Sequence, residues 1–190
     1  MSRTPSTMLP LGTPAPAFAL PDVTTGKTVR LGDFLIGQPL LVMFLCRHCP
    51  YVKHVQAGLA QLGRDYAGRV GIVAISSNDI TAQPEDAPAS LREQAAGQGF
   101  TFPYCYDESQ EVARAYRAAC TPDFFLFDTG RKLAYRGQMD DSRPQNGRPV
   151  TGRDLRAALD ALLAGQSVNP DQIPSLGCNI KWTAGRGSQL

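Results

Sequence analysis

Two cysteines separated by two residues end an apolar run in LLVMFLCRHCPYVKH, residues 40–54, with histidines at 48 and 54. Cys46 and Cys49 could serve as a redox dithiol, as soft ligands for a metal, or as an inert buried pair. Proline is favoured at the first helical position, so Pro50 makes Cys49 the expected N-cap of the following helix. A sulfur placed there meets unpaired backbone N–H groups and the positive end of the helix dipole. Both favour the thiolate, which is the nucleophilic form. Arg47 and His48 would add positive charge or donors. The metal alternative rests on Cys46, Cys49 and His54, with His48 as a further donor, the S and N ligands that zinc and copper take. A structural zinc site usually has two such knuckles, and one is visible here. Buried inert cysteines are common, but the cap position and the basic neighbours favour redox chemistry.

The elements around this stretch explain how it would be positioned. PLLVMFL reads as a strand buried on both faces, and Val52, Val55, Leu59 and Leu62 recur at helical spacing from Pro50 to Tyr66. RVGIVAIS is a second buried strand, and residues 77–88 read as a loop. A helix is expected from about Ala89 to Ala96, a short strand in FTFPYCYD, and a helix over ESQEVARAYRAA capped by Asp107. DFFLFDTGRKLAYRG is a hairpin turning at Asp-Thr-Gly. Thr151 is the expected cap of a closing helix stopped by Gly165. The tail that follows carries Ile173, Leu176, Ile180 and Trp182, which should pack on the body. Strands alternating with helices, then a hairpin and a helix, predict an α/β sandwich around a mixed sheet.

The chain has 190 residues, 43% of them hydrophobic, and a formal net charge of +2. That composition suits one globular domain over 1–190, with a core at about 12–165 and a tail at 166–190. The charge gives no sign of a nucleic-acid or membrane surface, and no apolar run approaches the roughly 20 residues that span a bilayer. The proline-broken start lacks the apolar core of a signal peptide, so the expected location is the cytoplasm. Five cysteines, at 46, 49, 105, 120 and 178, are too few for a disulfide-stapled scaffold of this length. Cys105 and Cys120 are expected to be structural. Asp140, Asp141 and Arg143 could form either a solvated loop or a polar rim around the site.

FLCRHCPYVKH, FTFPYCYDESQEVARAYRAACTPDFFLFD and the hairpin after it resemble the thioredoxin-like superfamily, in its AhpC/TSA branch. With YRGQMDDSRP and PSLGCNIKW they also resemble a peroxiredoxin-like family of uncertain function. The resemblance implies a thioredoxin-like sandwich and a cis proline at Pro122, after Thr121, facing the reactive cysteine and shaping a substrate groove. Aligned on Phe44, the nucleophilic position falls on Cys49, and the second cysteine of a thioredoxin falls on Val52. The buried aspartate of thioredoxins falls on Met43. Where a peroxiredoxin has threonine three residues before its cysteine, this chain has Cys46.

Together these observations predict a thiol–disulfide oxidoreductase, or a thiol-dependent peroxidase, with Cys49 as nucleophile. Cys46 or Cys178 would resolve the intermediate; Arg47, His48 and Thr121 would support it. No cofactor is expected. The expected partners are a protein disulfide or a peroxide as substrate, and a thioredoxin system or small thiol as reductant.

Overall fold

The computed structural model describes residues 3–184; the last six residues of the tail lie outside them. In chain order the elements are β1 (Arg3–Pro5), β2 (Ala19–Pro21), β3 (Thr28–Arg30), β4 (Leu40–Phe44), α1 (Pro50–Asp65), β5 (Gly71–Ser76), α2 (Pro88–Gln98), β6 (Tyr104–Tyr106), α3 (Glu111–Ala115), β7 (Cys120–Thr121), β8 (Asp123–Phe127), β9 (Leu133–Tyr135), α4 (Arg153–Leu163) and β10 (Leu176–Asn179). The central sheet has the order β6-β5-β4-β8-β9. β4, β5 and β6 run parallel, and β8 and β9 run antiparallel to their neighbours.

Every residue of β4 is buried, which is why its sequence shows no alternation. Its side chains nevertheless alternate between two cores. Leu41, Met43 and Leu45 join α1, α2 and α4 on one face. Leu40, Val42 and Phe44 join Val112 and Ala113 of α3, Tyr116 and Phe125 on the other. The first helix turns Val52, Val55, Leu59 and Leu62 to the sheet. Leaving the sheet after Leu45, the chain therefore delivers Cys46 and Cys49 into the α1 side of the core.

Some expectations drawn from the sequence need correction. The segment after β6 forms only a short helix, because Gln110 (φ 62) and Arg117 (φ 52) sit in the left-handed region at its two ends. Asp107 is not its N-cap; its carboxylate accepts from Ala113 N–H at 2.9 Å and Ser77 Oγ at 3.0 Å. The N-cap of α4 is Gly152 (φ 67), not Thr151. Asp140 Oδ2 holds the turn before the helix, accepting from Thr151 N–H at 2.7 Å and Gly152 N–H at 2.6 Å; the first-turn N–H groups of Asp154 and Leu155 donate to the Met139 carbonyl at 3.2 and 3.1 Å, and that of Arg153 to Thr151 Oγ1 at 3.2 Å. Asp140 is thus buried and structural, whereas Asp141 pairs with Arg148 and Arg153 at the surface.

The tail returns to the body. Arg136 N–H donates to Gln172 Oε1 at 2.8 Å, and Ser175 Oγ to the Pro122 carbonyl at 2.7 Å. Ile180 is buried, and Trp182 packs partly buried against the α3 face, but Ile173 is 58% exposed. β10 then becomes the middle strand of a second sheet, β1-β10-β7. Beneath it a buried network fixes the residue after Pro122. Asp123 accepts from Ser6 Oγ at 2.7 Å and from Arg136 at 3.4 Å, and the Arg136 guanidinium lies 4.4 Å from the Phe125 ring centre.

Burial alone would raise the Asp140 carboxyl, but hydrogen bonds from Ser142, Gly152 and Thr151 outweigh it and hold it below the ordinary value of 3.8. A depressed folded-state pKa stabilises the fold above the unfolded value, and that contribution is lost as pH falls through the folded one. Asp140→Ala should therefore lower stability at neutral pH by about 1–3 kcal/mol, the usual cost of leaving buried donors without a partner. Urea midpoints of the two proteins should converge as the pH drops below about 4. Equal midpoints at neutral pH would contradict this structural role.

Candidate active site

Three cysteines converge where β4, α1, β7 and β10 meet. Cys49 is the N-cap of α1 (φ −67, ψ 124), with Pro50 in the first turn. Antiparallel pairing of β10 with β7 sets Cys178 opposite Thr121. The Cys49 Sγ lies 2.8 Å from Cys178 Sγ and 3.2 Å from the Thr121 carbonyl oxygen. Cys46 Sγ lies 3.1 Å from Thr121 Oγ1. The Thr121–Pro122 peptide is cis. All three sulfurs belong to buried residues and are thiols in this structure.

The electrostatics separate the three. A hydrogen bond from Cys46 is the largest influence on Cys49. Burial opposes it, a bond from Cys178 and the Val52 N–H reinforce it, and the Cys49 thiol falls to about 5. Cys49 makes no full capping hydrogen bond through its sulfur, so the helix end helps the thiolate less than the neighbouring thiols do. Burial pushes Cys178 up to about 12, aided by its bond to Cys49 and the charge there. Burial likewise holds Cys46 well above its usual range. At neutral pH the cluster is therefore one thiolate accepting from two S–H groups. Cys105 and Cys120, on β6 and β7, are pushed upward by burial.

Arg47 and His48 do not face the thiolate as the sequence suggested. The Arg47 guanidinium donates to Ser90 O at 2.9 Å and Glu93 Oε2 at 2.8 Å on α2. His48 Nδ1 lies 2.6 Å from Asp86 Oδ2. Asp86 also accepts from the backbone N–H of Arg47 at 2.8 Å and of His48 at 3.1 Å, and from Asn78 Nδ2 at 2.7 Å. It anchors the turn between Cys46 and Cys49. Nothing local in SNDITAQPEDAP marks Asp86 for this. The proposed metal trio is not assembled either. The ligand atoms brought within 4.8 Å of one another are those of Cys46, His48 and Asp86, and His54 is not among them. The Asp86 carboxylate in that group is already occupied by four donors. His54 instead lines a small open cleft of about 20 Å³ with Tyr51, Pro122, Gln138, Arg143 and Leu176.

A model of the AhpC/TSA family matches residues 11–136. This chain belongs to the AhpC/TSA family. A Mycobacterium tuberculosis protein provisionally named a peroxiredoxin is 30% identical to this family member over 115 residues, 60% of this chain and 68% of its own length. The thiol:disulfide interchange protein DsbE of Allochromatium vinosum is 31% identical over 115 residues, 60% of this chain and 59% of its own. Among solved structures, an uncharacterized conserved protein from Geobacillus kaustophilus is 54% identical, with a TM-score of 0.95 over 97% of this chain and 98% of that one. A thioredoxin family protein from Chlorobium tepidum is 17% identical, with a TM-score of 0.62 over 82% of this chain and 99% of that one; it shows the fold alone. The AhpC/TSA member therefore has a thioredoxin-like fold, with β10 and its cysteine lying beyond the matched residues.

Titration followed by thiolate absorbance should show one thiol ionising at about 5, absent in Cys49→Ser. Cys46→Ala should raise that midpoint, since the leading donor is gone, whereas Cys46→Ser should retain most of the effect through its O–H. An unmoved midpoint in Cys46→Ala would contradict this account of the thiolate.

Proposed function

We propose that the protein is a thiol oxidoreductase in which the Cys49 thiolate attacks the oxidised substrate, a disulfide or a peroxide, and Cys178 resolves the intermediate. The 2.8 Å separation of Cys49 and Cys178 sulfurs carries the reading. Relatives named a peroxiredoxin and a disulfide interchange protein support the same chemistry.

Attack on a disulfide forms a bond from Cys49 to one substrate sulfur and releases the other as a thiolate. The Cys49 charge and its hydrogen bond, two of the causes that hold Cys178 up, disappear in that step. Cys178 then gives its proton to the departing thiolate and attacks the Cys49 sulfur. The second substrate sulfur leaves, and two electrons have passed from the cysteine pair to the substrate. Cys46 stays as the donor that lowers Cys49, in the position where a peroxiredoxin has threonine. Thr121 backs it through its hydroxyl, and Pro122 flanks the cleft. A thioredoxin-type dithiol or a small thiol would return the pair to the reduced state. The reading includes a reducing compartment, the cytoplasm, which cell fractionation would check.

Dithiothreitol-driven turnover of peroxide and of insulin disulfide tests it. Cys49→Ser should abolish turnover with either substrate. Cys178→Ser should leave the first attack intact and slow turnover by about a hundredfold. Unchanged turnover in Cys178→Ser would return the resolving role to Cys46.

A further inference from the structure

Resting on that thiol reading, we infer that the cleft beside Pro122 is a carboxylate site: Arg143 and His54 seat the carboxylate of a small thiol there while its sulfur reduces the oxidised cysteine pair. The reasoning starts from an arginine without a counter-charge. Its neighbours along the chain are paired, Arg148 and Arg153 with Asp141 and Arg156 with Asp65. Arg143 has no ion pair among the described residues. Its Nη1 donates to the Asp140 carbonyl at 2.7 Å and to the Ser142 carbonyl at 2.6 Å, and its Nη2 to Gln138 Oε1. All three acceptors are neutral, so the guanidinium is held in place with its charge uncompensated. Of the five N–H groups a guanidinium carries, the Nε–H and one on Nη2 remain. On α1, His54 lines the same cleft, and its Nε2 is buried without a hydrogen-bond partner among the described residues. The acidic residue of the lining, Asp140, is already met by three backbone donors: Ser142 N–H at 2.9 Å, Thr151 N–H at 2.7 Å and Gly152 N–H at 2.6 Å. A fixed guanidinium with free N–H groups, together with an imidazole nitrogen, is the donor set that a planar carboxylate takes.

The cleft adjoins the cysteine pair, because Pro122, Ser175 and Leu176 line it. Gly177 fixes the strand that continues from there. A Cβ added to it would sit 2.0 Å from the Thr121 carbonyl oxygen, and only glycine lets one backbone lie this close on another. Side chains two apart on a strand share a face at a spacing of about 7 Å, so Cys178 follows Leu176 on the side of the cleft. Cys49 is 0% exposed and Cys178 3%; a thiol held by its carboxylate in the cleft therefore meets Cys178 first. Arg143 itself sits on the loop between β9 and α4, beyond the residues matched by the family model.

The chemistry balances with two thiol molecules. The thiolate of the first attacks the Cys178 sulfur of the Cys49–Cys178 disulfide. A mixed disulfide forms on Cys178, and Cys49 leaves as its thiolate, the cysteine of lower pKa and so the better leaving group. The thiolate of the second molecule attacks the sulfur of the first, the small-molecule disulfide departs, and the Cys178 sulfur is released. Of the two protons given up by the two thiols, one ends on Cys178 and one in solvent. Two electrons have passed from the thiols to the cysteine pair.

The test starts from protein oxidised with one equivalent of hydrogen peroxide and mixed with 3-mercaptopropionate, which carries the carboxylate, or with 2-mercaptoethanol, which carries a neutral hydroxyl. Alkylation and intact mass follow the return of the two protein thiols, and rates are compared per thiolate. The wild type should favour mercaptopropionate by about tenfold, the scale of one charged hydrogen bond. Arg143→Gln should bring the ratio close to one, and Arg143→Lys, which keeps the charge, should restore part of it. The ratio is the readout because damage to the loop would slow both thiols. If Arg143→Gln does not fold, His54→Ala should narrow the ratio in the same direction. Equal wild-type rates would overturn the inference, as would an unchanged ratio in the folded Arg143→Gln protein or, in its place, in His54→Ala. Oxidised protein lacking the Cys49–Cys178 bond would instead strike the thiol reading beneath it.

Discussion

The backbone of Gly177 rests on the Thr121–Pro122 peptide, and the rest of the site depends on that contact. It requires a residue without a side chain, places β10 in register with β7, and so carries Cys178 to the Cys49 sulfur from far along the chain. Without it the first helix would present a capping cysteine with one neighbouring thiol. With it, the thiolate sits between two S–H donors and under a strand. Cys49 is 0% exposed beneath that strand.

The same burial explains why one sulfur ionises and two do not. Removing a charge from water is costly, and it raises all three thiols. Only Cys49 receives two S–H donors, so its charge is the one that is compensated. A charge on Cys46 or Cys178 would be buried and would also repel the Cys49 thiolate. The buried carboxylates are likewise committed to architecture: Asp86 holds the turn between the cysteines, Asp123 the chain after Pro122, and Asp140 the start of α4. The active-site chemistry is then left to sulfur.

What the sequence disclosed follows from how local each signal is. The buried run of β4, the helical spacing of α1 and the proline after Cys49 are written within a few residues, so the nucleophile and its helix end were legible. The hairpin of β8 and β9 was too. Residues whose function depends on distant partners were not. Asp140 holds the turn before a helix from a separate loop, and Asp86 reaches back to a turn it does not adjoin. Arg47 looked like a neighbour of the thiolate by spacing, yet Glu93 and the Ser90 carbonyl draw it to α2. β10, reading LGCN, has neither alternation nor an apolar run, and its pairing is fixed by the shape of Thr121–Pro122. Proximity of Cys178 to the site could be raised as a question from the sequence, but its register could not.

Disulfide mapping after one equivalent of oxidant tests the central claim most directly. The reduced protein is treated with hydrogen peroxide, blocked, digested without reduction, and its linked peptides are identified by mass. The geometry predicts an intramolecular bond between Cys49 and Cys178, with Cys46, Cys105 and Cys120 recovered as blocked thiols. A bond between Cys46 and Cys49, or a chain that stops at the sulfenic acid with Cys178 still blocked as a thiol, would contradict it.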